Sequence, residues 1–169
     1  VNHSKRSLNI AVLTLSDTRD LDSDKSGPYL QKALEAEGHS LADRKLVMDD
    51  IYQMRAIVAT WIADPTIEVI LTNGGTGLNS RDNAPEALEP LFDNTINGFG
   101  ELFRQLSYDQ IGSSTVQSRA LGGLSNHTLI FCIPGSTGAC KTAWEKILKQ
   151  QLDSTYLPCN LVKPIMKSQ

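Results

Sequence analysis

Cysteine is scarce and poorly placed for any structural role. The three residues, Cys132, Cys140 and Cys159, are an odd number with no Cys-x-x-Cys pair, which excludes both a disulfide framework and a structural zinc site. Histidine is equally sparse, and His3, His39 and His127 are scattered without the spacing of metal ligands. Long apolar runs are missing too. The longest, Leu129 to Ile133, stops at Pro134, whereas a bilayer span needs about 20 residues. The basic start, Val1-Asn2-His3-Ser4-Lys5-Arg6, has no apolar stretch behind it and does not read as a secretion signal. Nor is positive charge in excess: 16 Lys and Arg stand against 19 Asp and Glu, a net charge of −3 with a pI near 5.6. That argues against a broad basic face and against nucleic acid as a partner. A cytoplasmic protein with no membrane partner is expected.

What is present is an ordinary globular composition, 40% apolar and 21% charged over 169 residues. A chain of this length buries roughly 70% of its unfolded surface. No repeat or linker divides it, so one domain over 1–169 is expected, with 1–7 and 159–169 as terminal extensions. Apolar runs at Asn9–Leu15, Leu41–Val47, Ile67–Thr72 and Thr128–Ile133 read as buried strands. Helical patterns alternate with them. One opens with Ser26 as N-cap and Pro28 in its first turn and ends at Gly38; a second follows Asp49-Asp50 and leaves at Pro65. Others are expected near Pro85–Phe92, over Gly98–Leu106, and through Trp144, Ile147 and Leu148, with Trp61 and Trp144 in the core. This alternation predicts an α/β fold whose parallel sheet is covered on both faces. Ligands bind such sheets beyond the carboxyl ends of the strands. Three strands here end in Ser16-Asp17, Gly74-Gly75-Thr76-Gly77 and Pro134-Gly135-Ser136, and function is expected in those loops.

The glycines permit positive φ and let successive N–H groups converge on an anion, although a tight turn alone would also use them. Arg81-Asp82-Asn83-Ala84-Pro85-Glu86 follows. Asn83 and Glu86 match a capping box, with Pro85 in the first turn, and Asp82 suits a helix dipole. A carboxylate beside a phosphate nest is nevertheless repulsive unless a cation such as Mg²⁺ lies between them. Asp49 admits two readings, helix cap or magnesium ligand. Arg119 likewise admits a phosphate or a surface carboxylate as its partner. Gly135-Ser136-Thr137-Gly138-Ala139-Cys140-Lys141-Thr142 is a near-miss to a nucleotide P-loop. Cys140 replaces its second glycine, and too little chain follows for that fold.

With these residues assembled, the chain resembles the molybdenum cofactor biosynthesis proteins of the MoaB/MogA family. The resemblance is carried by Leu13-Thr14-Leu15-Ser16-Asp17, Thr72-Asn73-Gly74-Gly75-Thr76-Gly77, Arg81-Asp82-Asn83-Ala84-Pro85-Glu86, Gly98-Phe99-Gly100-Glu101, Ser118-Arg119 and Pro134-Gly135-Ser136. It implies a three-layer αβα sandwich with a mostly parallel sheet, assembled as a homotrimer or homohexamer. It further implies that molybdopterin is bound and that AMP is transferred to its phosphate from Mg-ATP, releasing pyrophosphate. By matching positions, Asp49 and Asp82 act with Mg²⁺, and Gly75, Thr76 and Gly77 hold phosphate. Ser16, Asp17, Ser118, Gly135 and Ser136 line the pterin and nucleotide pocket, and Gly74, Arg81, Arg119 and Pro134 join the same substrate-binding set. Asn73 and Ala84 stand where active relatives usually carry Thr, which keeps a non-catalytic molybdopterin carrier as the alternative. Other proteins of the pathway are candidate partners.

Overall fold

The computed structural model describes residues 4–18 and 22–166. The remainder lies outside the described residues, including His3, the start of the basic amino-terminal stretch, and Arg19 to Leu21 of the acidic stretch after the first strand. The first strand, β1 (Asn9–Leu15), is buried from Ile10 onward, because it is flanked on both sides by β2 (Ser40–Val47) and β3 (Val69–Asn73). Both pairings are parallel, as is that of β3 with β6 (Thr128–Ile133). Beyond β6 the sheet turns antiparallel, through β5 (Leu121–Ser125) and the two-residue β4 (Asn94–Thr95). The strand order is β2-β1-β3-β6-β5-β4. The mostly parallel sheet is therefore as expected, and its antiparallel edge is additional.

Side chains alternate across this sheet and build two cores. Ile10, Val12, Val69 and Leu71 face helices α1 (Ser26–Ala36), α4 (Asn97–Ile111) and α5 (Thr137–Ala143), the last continued by a π-helical turn at Trp144–Leu148. Ala11, Leu13 and Ile70 face α2 (Ile51–Ala63) and α3 (Ala84–Leu88). This is the three-layer αβα arrangement. Trp61 and Trp144 are buried, one in each core. After Cys159 the chain also feeds the first core, through Val162 and Ile165.

Several local expectations are corrected. Ser26 does not cap α1. The Asp24 carboxylate does, accepting from the N–H groups of Ser26 (3.0 Å) and Gly27 (3.1 Å), while the Ser26 hydroxyl donates to the Gly135 carbonyl at 2.8 Å. The helix expected over Pro85–Phe92 is shorter: α3 stops at Leu88 and a 3₁₀ turn covers Glu89–Leu91, because Pro90 has no N–H and its ring clashes with the preceding turn. Conversely, α4 runs on to Ile111 and ends at Gly112, where φ is +59°.

From β1 the chain passes through α1 on one face to β2, and returns through α2 on the other face to β3. The sheet's order therefore reverses between β1 and β3. The carboxyl ends of strands at such a reversal are the usual ligand position in sheets of this kind.

Candidate functional site

The loops leaving β1, β3 and β6 meet at these carboxyl ends. Asp17, just after β1, accepts from the Asp49 N–H at 3.1 Å through Oδ1 and pairs through Oδ2 with Arg81 Nε at 2.7 Å. Asp50 caps α2, accepting from the Gln53 N–H at 2.8 Å. Asp49 is thereby free of the capping role, and its Oδ1 accepts from the Asn83 N–H at 3.1 Å.

The glycine loop is shaped by what surrounds it. Gly74 and Gly75 have φ of +107° and +66°. A Cβ on Gly75 would lie 2.4 Å from Asp49 Oδ2, and one on Gly77 would lie 2.6 Å from Asp82 Oδ2. Two carboxylates from separate elements thus press on one turn of backbone, and only hydrogen fits between. Asp82 Oδ2 is steadied by the Asn79 N–H at 3.0 Å. The β6 loop closes against the same turn, since a Cβ on Gly135 would sit 3.1 Å from Gly74 Cα. Ser136 caps α5, its Oγ accepting from the Ala139 N–H at 3.1 Å.

Ser118 leads into Arg119, whose guanidinium lies on the carbonyl side of the glycine loop. The Arg119 N–H donates to the Thr76 carbonyl at 3.2 Å, and its guanidinium reaches the Gly77 and Asp82 carbonyls, both at 2.7 Å, and the Glu86 carboxylate. The carboxylate partner expected for Arg119 is present, as Glu86. The capping box expected of Asn83 and Glu86 does not form: the Asn83 side chain makes no cap bond, and Glu86 is held by Arg119. A second buried polar group lies on the α1 side, and no site motif marks it in the sequence. Asp24 Oδ2 accepts from Thr14 Oγ1 and from Arg44 Nη2, each at 3.0 Å, and Thr14 Oγ1 lies 3.1 Å from Asn73 Oδ1. The only signal for it was an Asp two residues before a helix start, a capping spacing.

Burial holds the Asp49 carboxyl above its ordinary 3.8; the Asn83 N–H opposes this, and Asp17 and Asp82 add to it. Among the described residues no three His, Cys, Asp or Glu side chains are grouped to hold a metal by themselves. Magnesium takes one or two carboxylates and completes its shell with phosphate and water oxygens, the kind of donor set Asp49 and Asp82 offer. Cys132 and Cys140 are buried, and burial pushes the Cys132 thiol up to about 12.

Residues 11–154, which carry every loop described above, match the family model described as "Probable molybdopterin binding domain". The chain belongs to the molybdenum cofactor biosynthesis family. Within that family it is 52% identical over 151 residues to Molybdenum cofactor biosynthesis protein B of Escherichia coli K12, covering 89% of each chain. A solved structure of a Molybdenum cofactor biosynthesis protein B superposes with a TM-score of 0.86 at 39% identity, over 89% of this chain and 94% of that one. The tungsten cofactor synthesizing protein MoaB from Pyrococcus furiosus superposes with a TM-score of 0.76 at 33% identity, over 87% and 94%. The α/β fold of the family is thus the fold of this chain. No helix among its described residues is long and apolar enough to cross a membrane.

Proposed function

We propose that this protein binds molybdopterin and adenylylates it with Mg-ATP. The step forms a bond between a pterin phosphate oxygen and the α-phosphorus of ATP. It breaks the bond from that phosphorus to the bridging oxygen, whose electron pair leaves with pyrophosphate. The observation that carries this reading is the convergence of Asp49 and Asp82 on the glycine loop, with space for hydrogen alone at Gly75 and Gly77. The two carboxylates would hold Mg²⁺, which supplies charge neutralisation between anionic reactants. Gly75, Thr76 and Gly77 offer backbone and hydroxyl donors to phosphate. Ser16, Asp17, Gly74, Ser118, Pro134, Gly135 and Ser136 wall the pocket. Arg81, largely exposed and paired only with Asp17 among the described contacts, is able to swing to an incoming phosphate. Positioning and electrostatics are sufficient for such a transfer, so no covalent protein nucleophile is required. The same reading includes a homotrimer or homohexamer, for which Tyr108, Ile111 and Val116 offer exposed apolar side chains at the end of α4 and just beyond.

One observation favours the alternative of a molybdopterin carrier. Ala84 is fully buried, and its Cβ would lie 3.2 Å from a Cβ at Gly75, so no hydroxyl reaches the loop from that side. Pyrophosphate release from Mg-ATP, measured with and without molybdopterin, separates the two. Adenylyl transfer requires pterin-dependent release that Asp82→Asn lowers by about 100-fold or more. Pterin binding without release identifies the carrier. Absence of pterin binding removes both.

A further inference from the structure

Arg119 lies behind the glycine loop, not in it. Its Nε and Nη2 donate to the Gly77 carbonyl at 3.0 and 2.7 Å, Nη2 also to the Asp82 carbonyl at 2.7 Å, and Nε approaches the Thr76 carbonyl at 3.3 Å. In a trans peptide the carbonyl of one residue and the N–H of the next point in opposite directions. The three carbonyls gathered by one guanidinium therefore turn the N–H groups of Gly77, Leu78 and Asn83 the other way. For Asn83 the outcome is visible, because its N–H donates to Asp49 Oδ1.

We propose that Arg119 is a positioning residue that sets the front of the site from its back. It aims the Asn83 N–H at Asp49 and faces the Gly77 and Leu78 N–H groups to the opposite side of the loop, without touching substrate. Its significance for function rests on the reading of Asp49 and the glycine loop given above; the geometry does not. Arg119 is itself fixed from the core. Arg104 of α4 donates to the Ala120 carbonyl at 2.9 Å and to the Ser118 carbonyl at 3.4 Å, bracketing it on both sides. One run of contacts thus leads from α4 through Ser118–Ala120 and the loop carbonyls to Asp49. Lysine cannot replace the arginine here, because a point charge on a flexible stem lacks the forked donors that span three carbonyls and a carboxylate.

The test uses the full chain, with amide exchange read by NMR in the metal-free protein and Mn²⁺ binding read by electron paramagnetic resonance with the metal alone. In Arg119→Lys, exchange at Asn83 should quicken tenfold or more and the resonances of Gly77 and Leu78 should shift, while amides of β1 and β6 stay in place. Mn²⁺ affinity should fall about tenfold, the usual effect of removing a group that orients a metal ligand. Guanidinium ion added to Arg119→Ala should restore it in part, which a merely structural role would not produce; should that variant fail to fold, Arg119→Lys decides alone. Asn83 exchange and Mn²⁺ affinity within twofold of wild type in Arg119→Lys would overturn the proposal. If the wild type binds no Mn²⁺, the metal reading of Asp49 and Asp82 fails, and Asn83 exchange still decides the positioning role.

Discussion

Asp49 must be ionised to hold a cation, yet its surroundings resist ionisation. Burial raises its carboxyl, with Asp17 and Asp82 adding to the effect. The folded protein then binds that proton more tightly than the unfolded chain does. Stability gained by protonation is complete below the ordinary carboxyl range and is lost as pH rises through the elevated folded value. At neutral pH nothing remains of it. Asparagine at this position keeps an acceptor for the Asn83 N–H and carries no charge. Asp49→Asn should therefore melt at a higher temperature than wild type at pH 7, with the difference shrinking as the solution is acidified below the ordinary carboxyl range. Saturating Mg²⁺ should raise the wild-type melting temperature and leave the variant unmoved. Calorimetry across pH, with and without the metal, checks both, and a variant that melts lower than wild type at every pH would refute the argument. Asp82 was legible as a candidate because a carboxylate a few residues beyond a glycine loop is chemically conspicuous, whereas Asp49 stood open between helix cap and metal ligand and only the family resemblance chose the second. The work of Arg119 was not legible. Its partners are main-chain carbonyls 37 to 43 residues away, and every residue carries such an acceptor.

Among the elements, the segment from α4 to β5 shows why glycines can hide structure. A Cβ on Gly100 would lie 2.4 Å from the Ala120 carbonyl oxygen and 3.0 Å from the Arg104 guanidinium nitrogens. Gly100 is thus the notch through which α4 grips residues 118–120, and with them Arg119. Gly100→Ala should push the helix outward at a cost of about 1–3 kcal/mol, the usual penalty for overpacking. It should also loosen the loop that α4 steadies. A lowered urea midpoint together with faster Asn83 exchange is the expected pair of results; an unchanged midpoint would show that the notch is slack. The strands β1, β3 and β6 were readable as continuous apolar runs, and α1 and α2 by their spacing. Of β5 the sequence offers Leu121-Gly122-Gly123-Leu124, which reads as loop. Gly122 packs against Phe131 and Phe99, and a Cβ on Gly123 would strike the Phe92 ring at 2.3 Å. The rings supply the surface that side chains at those two positions would normally provide, so period-two patterning cannot appear there.

Across the whole molecule, the two ends of the sheet answer to pH with opposite sign. At the end remote from the site, His39 enters β2 with Nδ1 accepting from the Leu8 N–H at 3.2 Å, its ring set edge-on to Trp144 at 6.4 Å, and Nε2 buried without a hydrogen-bond partner. Burial holds its pKa below the ordinary 6.5, and Lys5 acts in the same direction, while Glu37 and Asp153 oppose them. The unfolded chain then accepts a proton that the folded chain refuses. The stability contributed by neutral His39 is present in full above 6.5 and is lost as pH falls through its lower folded value. Glu37, held low mainly by hydrogen bonds from Lys149 and Lys5, keeps its contribution to lower pH and so does not obscure this window. Asp49 is shifted the other way and so contributes a slope of opposite sign, and it is common to wild type and variant. The urea midpoint should therefore fall more steeply between pH 7 and pH 5 in wild type than in His39→Gln, even though the variant starts lower for want of the ring's packing on Trp144. Equal slopes would mean that His39 titrates alike in both states. A steeper wild-type slope would place an acid weakness at the far end of the sheet, where it can be altered without touching Asp49, Asp82 or the loop between them.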